Sequence, residues 1–199
     1  MLLTWMIFIP LIGMILVLLI PRGQDNTVRW ITFAVTLIPL LIAVSLFMNY
    51  DRGTAGIQQE FSVPWIESFG IDYHIGLDGL SVTLILLTAL LGPICIGASW
   101  KIEKGVKAYM ALFLLLETGM IGFFCALDLF LFYVFFELTL LPMYFLIGIW
   151  GGPRREYAAI KFFLYTLFGS VLMLVAMIAV YLESGDPGVR TFDIPELVK

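Results

Sequence analysis

The sequence predicts an all-α, polytopic membrane protein with six transmembrane helices. Hydrophobic residues make up 61% of the 199 residues and charged residues only 13%, whereas a soluble domain carries about 25% charged residues. Six apolar stretches are long enough to cross a hydrocarbon core of about 30 Å as helices. They are Leu2–Ile20, Val28–Met48, Leu80–Trp100, Ala108–Ala126, Leu129–Trp150 and Ala158–Leu182. Because lipid offers no hydrogen bonds to the backbone, continuous helices are expected; the alternating strands of a membrane β-barrel have no counterpart in the pattern.

The first span is predicted to remain in the protein as a helix and not to be cleaved as a signal peptide. No Lys or Arg precedes its apolar run, and the tripeptide Pro21-Arg22-Gly23 that follows is not a small-residue cleavage site. The chain is therefore predicted to be a single transmembrane region over 1–199, with an outer loop at 49–79 and a tail at 183–199.

The basic residues predict the orientation of the helices. Seven of the ten loop and tail cations lie in the first, third and fifth loops, and three lie in the second loop and the tail. The first group is Arg22, Arg29, Lys101, Lys104, Lys107, Arg154 and Arg155, and the second is Arg52, Arg190 and Lys199. By the positive-inside rule the odd loops lie in the cytoplasm. The N-terminus, the outer loop and the tail are thus expected on the outer side of a bacterial inner membrane.

The outer loop is the one substantial soluble segment that the sequence predicts. Alternating apolar and polar residues over Ile71–Ile75 favour a short strand, and Asp78 or Ser81 can cap the third helix. In such a solvated loop, His74 is predicted to be a surface or packing residue and not a pH switch.

Composition excludes several other functions. A net charge of −4 without a basic stripe argues against a nucleic-acid partner. Cys95 and Cys125 lie in apolar runs without a CxxC pattern, so packing is their expected role. His74, the one histidine, has no companion at a metal-binding spacing. No metal site is therefore expected on this chain.

Two carboxyl groups lie where lipid makes a charge costly. Glu117 falls about 14 Å into the fourth span and Glu137 about 12 Å into the fifth, from opposite faces, so both lie near mid-membrane. A charge there costs about 2.5–3.5 kcal/mol on insertion scales, and a functional role is the default interpretation. Burial favours the protonated form, which allows proton uptake and release near neutral pH. The alternative is a protonated glutamate that only holds neighbouring helices together.

Glu137 has the more favourable surroundings of the two. Tyr133 and Tyr144 lie within about 40° of it on the helical wheel, so their hydroxyls share its face. Pro142 cannot donate to the carbonyl of Leu138, which leaves a kink and a free acceptor beside the carboxyl. Glu137 is therefore predicted to be the centre of a proton pathway and Glu117 a supporting carboxylate.

Two further charges lie at span boundaries. Asp128 points to the opposite side from Glu137 on the wheel and is predicted to be the N-cap of the fifth helix. Lys161 lies about 6 Å into the sixth span. It either reaches back to the cytoplasm along its aliphatic stem or serves the pathway as an entry gate or electrostatic partner.

Long motifs give the sequence a family resemblance. The segments 126–137 and 141–151, which surround Glu137, resemble the M-type antiporter-like membrane subunit of proton-pumping NADH:quinone oxidoreductase, or respiratory complex I. The segment 154–166 continues the resemblance, as do 73–81 in the outer loop and 191–193 in the tail. The resemblance covers nearly the whole chain and is therefore more specific than a short pattern.

The resemblance implies a role for Glu137 as the central proton-translocating carboxylate, with a lysine on a seventh helix as its partner. It also implies a fold of about fourteen helices built on an inverted repeat. The chain ends after six helices, so we expect either the N-terminal portion of a longer protein or a subunit completed by another chain. NADH, flavin, iron–sulfur clusters and quinone are expected on other subunits, and the partners are expected to be other membrane subunits of complex I.

Two alternatives remain beside that interpretation. A subunit of a multi-subunit sodium/proton antiporter would share the central glutamate. A membrane scaffold would use its glutamates only to hold helices together. Purification with NADH-oxidising subunits favours the complex I subunit. Sodium-dependent transport by membrane subunits alone favours the sodium/proton antiporter subunit.

Overall fold

The computed structural model describes residues 1–53, 56–186 and 190–198. Its elements, in chain order, are α1 (Leu2–Leu19), α2 (Asp25–Met48), β1 (Gln58–Ile66), β2 (Ile71–Leu77), α3 (Gly79–Ala98), α4 (Val106–Cys125), α5 (Leu129–Trp150), α6 (Arg155–Glu183) and the short α7 (Ile194–Leu197). Single 3₁₀ turns lie at Glu67–Phe69 and Ser99–Lys101. Six of the described helices are long and apolar enough to span a membrane. The predicted fold class is therefore confirmed.

The helix ends differ from the predicted bounds where polar residues extend a helix beyond the apolar core. α2 begins at Asp25 and not at Val28, and α6 runs from Arg155 to Glu183. Hydrophobic patterning marks the part of a helix that lies in lipid, whereas the hydrogen-bonded helix continues into the interface. Pro142 lies inside α5, as the sequence predicted, and Pro39 and Pro93 lie inside α2 and α3.

The first four helices form one bundle, to which the last two long helices are added in sequence. α4 packs against α1, α2, α3 and α5, whereas α6 packs chiefly against α5. Small residues bring α4 and α5 together: a Cβ on Gly122 would lie 2.3 Å from the Phe135 ring, and one on Gly119 would lie 2.7 Å from Thr139 Cγ2. Close approach at small residues is how helices associate where lipid supplies no hydrophobic driving force. Glu137 therefore lies on a helix held closely against α4.

The outer loop folds into a hairpin against the ends of the helices. β1 and β2 pair antiparallel, with irregularities between Gln58 and Phe61 and between Pro64 and Ile66. The strand predicted over Ile71–Ile75 is confirmed and continues to Leu77. Its partner β1 was not predicted, because an exposed strand interrupted by Pro64 has no regular alternation.

The tail that follows α6 returns to the same end of the molecule as the hairpin. Leu129 donates its backbone N–H to Phe192, and Ile194 donates to Leu127. Gly70 has a φ of 61°, and a Cβ there would lie 2.5 Å from the carbonyl oxygen of Arg190. Hairpin, tail and the start of α5 thus form one outer cap. Lys199, which the sequence predicted on this side, lies outside the described residues.

Helix caps agree with the sequence. Asp78 accepts the N–H of Ser81 at 2.6 Å and caps α3. Burial opposes ionisation of Asp78, but the hydrogen bonds from Ser81 and Leu80 outweigh it and hold the pKa of this carboxyl below its ordinary value. Asp78, and not Ser81, is therefore the cap.

Candidate functional site

Glu137 lies on α5 at the side that faces α6. Its side chain is half-buried, and its Oε1 atom is buried without a hydrogen-bond partner among the described residues. Tyr133, one turn earlier, interacts with both Glu137 and Ser170 of α6. Pro142 is buried within the same helix, so the carbonyl of Leu138 lacks its usual donor. An unpaired carboxyl oxygen, a hydroxyl and a free carbonyl therefore lie within two turns of helix.

Tyr144 continues this face of α5 toward the C-terminal end of the helix. Its ring packs edge-on against Phe163 of α6, with the ring centroids 5.4 Å apart. Tyr133 and Tyr144 both contact α6, and Glu137 lies between them in the sequence. The polar face predicted from the helical wheel thus lies along the α5–α6 boundary. α6 is mostly exposed on its other side.

The side chain of Glu117 is more buried than that of Glu137, and it faces different helices. Its side chain is 3% exposed, and neither carboxyl oxygen has a hydrogen-bond partner among the described residues. It points at Gly92 of α3, where a Cβ would lie 2.6 Å from its Oε1. Gly119 and Gly122, on another face of α4, lie against Phe135 and Thr139 of α5. The structure therefore does not bring the two predicted carboxyls together, although their helices are neighbours.

Lys161 lies on the exposed face of α6. Its Nζ lies 5.7 Å from the centre of the Tyr157 ring, a cation–π contact. Both side chains line a groove of about 760 Å³ near the start of α6, together with Arg154, Arg155 and Tyr165. Of the two positions left open by the sequence, this one matches a side chain that reaches back toward the start of α6. Its role in a pathway stays a prediction.

Asp128 caps α5, as predicted. Its Oδ1 accepts the backbone N–H groups of Phe130 at 2.8 Å and Leu131 at 2.9 Å, while its Oδ2 faces the N–H of Asp72 at 3.3 Å. Burial raises the pKa of this carboxyl, and the three N–H groups oppose the rise. Asp128 thus joins the hairpin to the helix that carries Glu137.

The surface position that the sequence allowed for His74 is wrong, whereas the alternative of a packing residue agrees with its burial. The side chain predicted for a solvated loop is 4% exposed, and both of its ring nitrogens face carboxylates. Nδ1 pairs with Asp193 of the tail, and Nε2 pairs with Glu60 of β1 at 2.8 Å. We call His74, Glu60 and Asp193 the outer clasp. A contact between residues 119 positions apart leaves no local signal in a sequence.

The cysteines and possible metal ligands add no second site. Cys95 is half-buried and Cys125 is buried, and both are free thiols. Over 1–53, 56–186 and 190–198, no group of three or more His, Cys, Asp or Glu side chains is placed to hold a metal ion.

The fold is that of a multi-pass helical membrane protein with a carboxyl in each of two candidate spans, Glu117 in α4 and Glu137 in α5. A family model described as NADH:quinone oxidoreductase/Mrp antiporter, transmembrane, matches residues 126–199. NADH-quinone oxidoreductase subunit M of Rhodobacter capsulatus is 43% identical over 98% of this chain and 39% of its own length. NADH-ubiquinone oxidoreductase chain 4 of Marchantia polymorpha is 38% identical over 92% of this chain and 37% of its own. The resemblance to M-type antiporter-like membrane subunits is therefore confirmed over 98% of this chain.

Solved structures agree with this assignment. A chain of respiratory complex I from Thermus thermophilus matches with a TM-score of 0.83 and 30% identity, over 100% of this chain and 39% of that one. A chain of the Mrp complex from Dietzia sp. matches with a TM-score of 0.77 at 22% identity, over 98% of this chain and 20% of that one. The second likeness concerns the fold alone. The chain spans about two fifths of the length of the curated relatives that it matches.

Proposed function

We propose that this chain is part of a proton-translocating, non-redox membrane subunit of an NADH:quinone oxidoreductase. In that role it couples electron transfer from NADH to quinone, carried out on other subunits, to proton transport across the membrane. The observation that carries the proposal is the buried, unpaired Oε1 of Glu137 beside the Tyr133 hydroxyl and the Pro142 kink. An intramembrane carboxyl in such surroundings is typical of a proton relay.

The proposed partners are the other membrane subunits of the complex, in particular further antiporter-like subunits. α6 supports this, because it carries many exposed apolar side chains and packs chiefly against α5. The resemblance supplies one further expectation: a lysine on a seventh helix, beyond residue 199, that pairs electrostatically with Glu137. Such a cation would favour the ionised carboxyl and drive release of its proton.

A sodium/proton antiporter subunit is the second candidate, favoured by the family model and the Mrp-like fold. Affinity purification of the full-length subunit from solubilised native membranes separates the two functions. We expect co-purification of NADH-oxidising, quinone-reducing activity. Recovery of membrane subunits alone, with sodium-dependent transport after reconstitution, would instead establish the antiporter.

We also propose a location in a bacterial inner membrane with the N-terminus outside. The start of α1, the hairpin and the described tail lie at one end of the bundle, as the positive-inside rule requires. Ser68 is exposed in the hairpin and Lys104 is exposed in the loop before α4. A membrane-impermeant maleimide added to whole cells whose outer membrane is permeable to it should label Ser68→Cys and not Lys104→Cys.

The unsubstituted protein controls for Cys95 and Cys125, which lie in membrane helices. In inverted vesicles, Lys104→Cys should be labelled and Ser68→Cys should not. Labelling of Lys104→Cys in intact cells, with Ser68→Cys protected, would show that the topology is the reverse of the proposed one.

A further inference from the structure

The Glu117 carboxyl occupies a space made by the absence of a side chain on α3. A Cβ on Gly92 would lie 2.6 Å from Glu117 Oε1 and 3.5 Å from the Cβ of Thr36 on α2. Three helices therefore meet at one point, with a carboxyl from α4 and a hydroxyl-bearing side chain from α2 beside it. We call Glu117, Gly92 and Thr36 the cradle. It lies on the face of α4 directed away from the α5 contacts of Gly119 and Gly122.

Among the described residues of the helices around it, no cation is placed to neutralise this carboxyl. α1 and α3 contain no charged residue, α2 carries Asp25 and Arg29 near its start, and α4 carries Lys107 besides Glu117. Arg29 donates to the carbonyl of Ile102 at 2.8 Å, and Lys107 donates to that of Ile20 at 2.7 Å, both at the cytoplasmic end. A carboxylate buried without a partner is strongly disfavoured, so the group neutralises by binding a proton.

Protonation leaves a second problem, which concerns hydrogen bonds. A protonated carboxyl still has one O–H donor and a carbonyl acceptor, and both Glu117 oxygens are buried without a partner among the described residues. Leaving such groups unpaired is unfavourable, and buried polar atoms nearly always have a protein or water partner. Thr36 donates its hydroxyl to the carbonyl of Phe33 at 2.9 Å. Its oxygen therefore remains available as an acceptor.

We propose that the cradle is a binding site for water, in which protonated Glu117 and Thr36 hold a water molecule between α2, α3 and α4. The site is separate from that of Glu137, because Glu117 points from α4 toward α3, whereas Glu137 lies on the side of α5 that faces α6. Water suits it because a bound molecule both accepts from the acid and donates to the carbonyl or to Thr36. The proposal concerns what the cradle holds, and it stands or falls independently of proton transport through Glu137.

Infrared difference spectroscopy of the full-length subunit in its native complex tests the proposal. Exchange of H₂O for D₂O should shift a protonated-carboxyl band that is present in the wild type and lost in Glu117→Gln. Gly92→Ala, which places a methyl group 2.6 Å from Oε1, should shift that band to the position of a carboxyl without a hydrogen-bond partner. Gly97→Ala is the matched control, because it lies on the same helix and no atom lies within 4 Å of its added Cβ.

Three results would overturn the proposal. The first is that no protonated-carboxyl band of the wild type disappears in Glu117→Gln. The second is a band that D₂O does not shift. The third is a Glu117 signal that changes with sodium concentration, which would make the cradle a cation site. If Gly92→Ala fails to assemble, the comparison of wild type with Glu117→Gln still decides the protonation state and the access of water.

Discussion

Replacing Glu137 with glutamine is expected to abolish most proton uptake by inverted membrane vesicles while the complex assembles in normal amounts. Glutamine keeps the shape of the side chain and most of its hydrogen-bonding capacity, but it cannot take up or release a proton. A positioned proton-transfer group contributes about 10²–10⁴-fold to a rate. We therefore expect proton uptake driven by NADH to fall roughly tenfold or more, together with the quinone reductase rate coupled to it.

Two other substitutions make this result specific. Glu137→Asp keeps a carboxyl one methylene shorter beside Tyr133, so it should retain part of the activity. Glu117→Gln removes a carboxyl that faces Gly92 and not α6, so it should reduce uptake less than Glu137→Gln. Vesicles from strains with equal complex content provide the measurement. Wild-type uptake by Glu137→Gln would make Glu137 a structural residue, and a larger loss in Glu117→Gln would reverse the ranking.

The sequence predicted the membrane spans and the helix caps because both depend on local chemistry. A run of about 20 apolar residues has few alternatives to a spanning helix. A carboxyl next to free N–H groups at a helix start caps that helix, as Asp78 and Asp128 do. The face shared by Glu137 with Tyr133 and Tyr144 also follows from helical geometry alone.

The remaining features depend on which face of each helix meets which neighbour. Depth along the helix axis places Glu117 and Glu137 at one level. The close contacts at Gly92 and Gly122 set how α4 is rotated, so that Glu117 faces α3 and not α5. Uniformly apolar helices carry little information about rotation, because lipid-facing and helix-facing residues are similar in character. The same limit applies to the outer clasp, whose three members come from β1, β2 and the tail.

The outer clasp should contribute more to the stability of the outer cap than any other side-chain contact described there. His74 is buried, and its two ring nitrogens face Asp193 and Glu60. Removing the ring nitrogens leaves both carboxylates without this partner, and a hydrogen bond to a charged group contributes about 1.5–3 kcal/mol. His74→Phe, which keeps an aromatic ring but no donor, should lower the temperature at which the complex dissociates in mild detergent. It should also expose the tail to added protease.

The two carboxylates of the clasp should differ in a way that exposure predicts. The side chain of Asp193 is 13% exposed and that of Glu60 is 54% exposed, and solvent weakens an ion pair with an exposed member. Asp193→Asn should therefore destabilise the complex more than Glu60→Gln, which serves as the matched control. Both changes remove one carboxylate from the same His74 ring. Dissociation temperatures and tail proteolysis measured on the three variants must follow the order His74→Phe, Asp193→Asn, Glu60→Gln. An unchanged His74→Phe, or a larger effect of Glu60→Gln than of Asp193→Asn, would show that apolar packing and backbone pairing, and not the clasp, hold the tail against the start of α5.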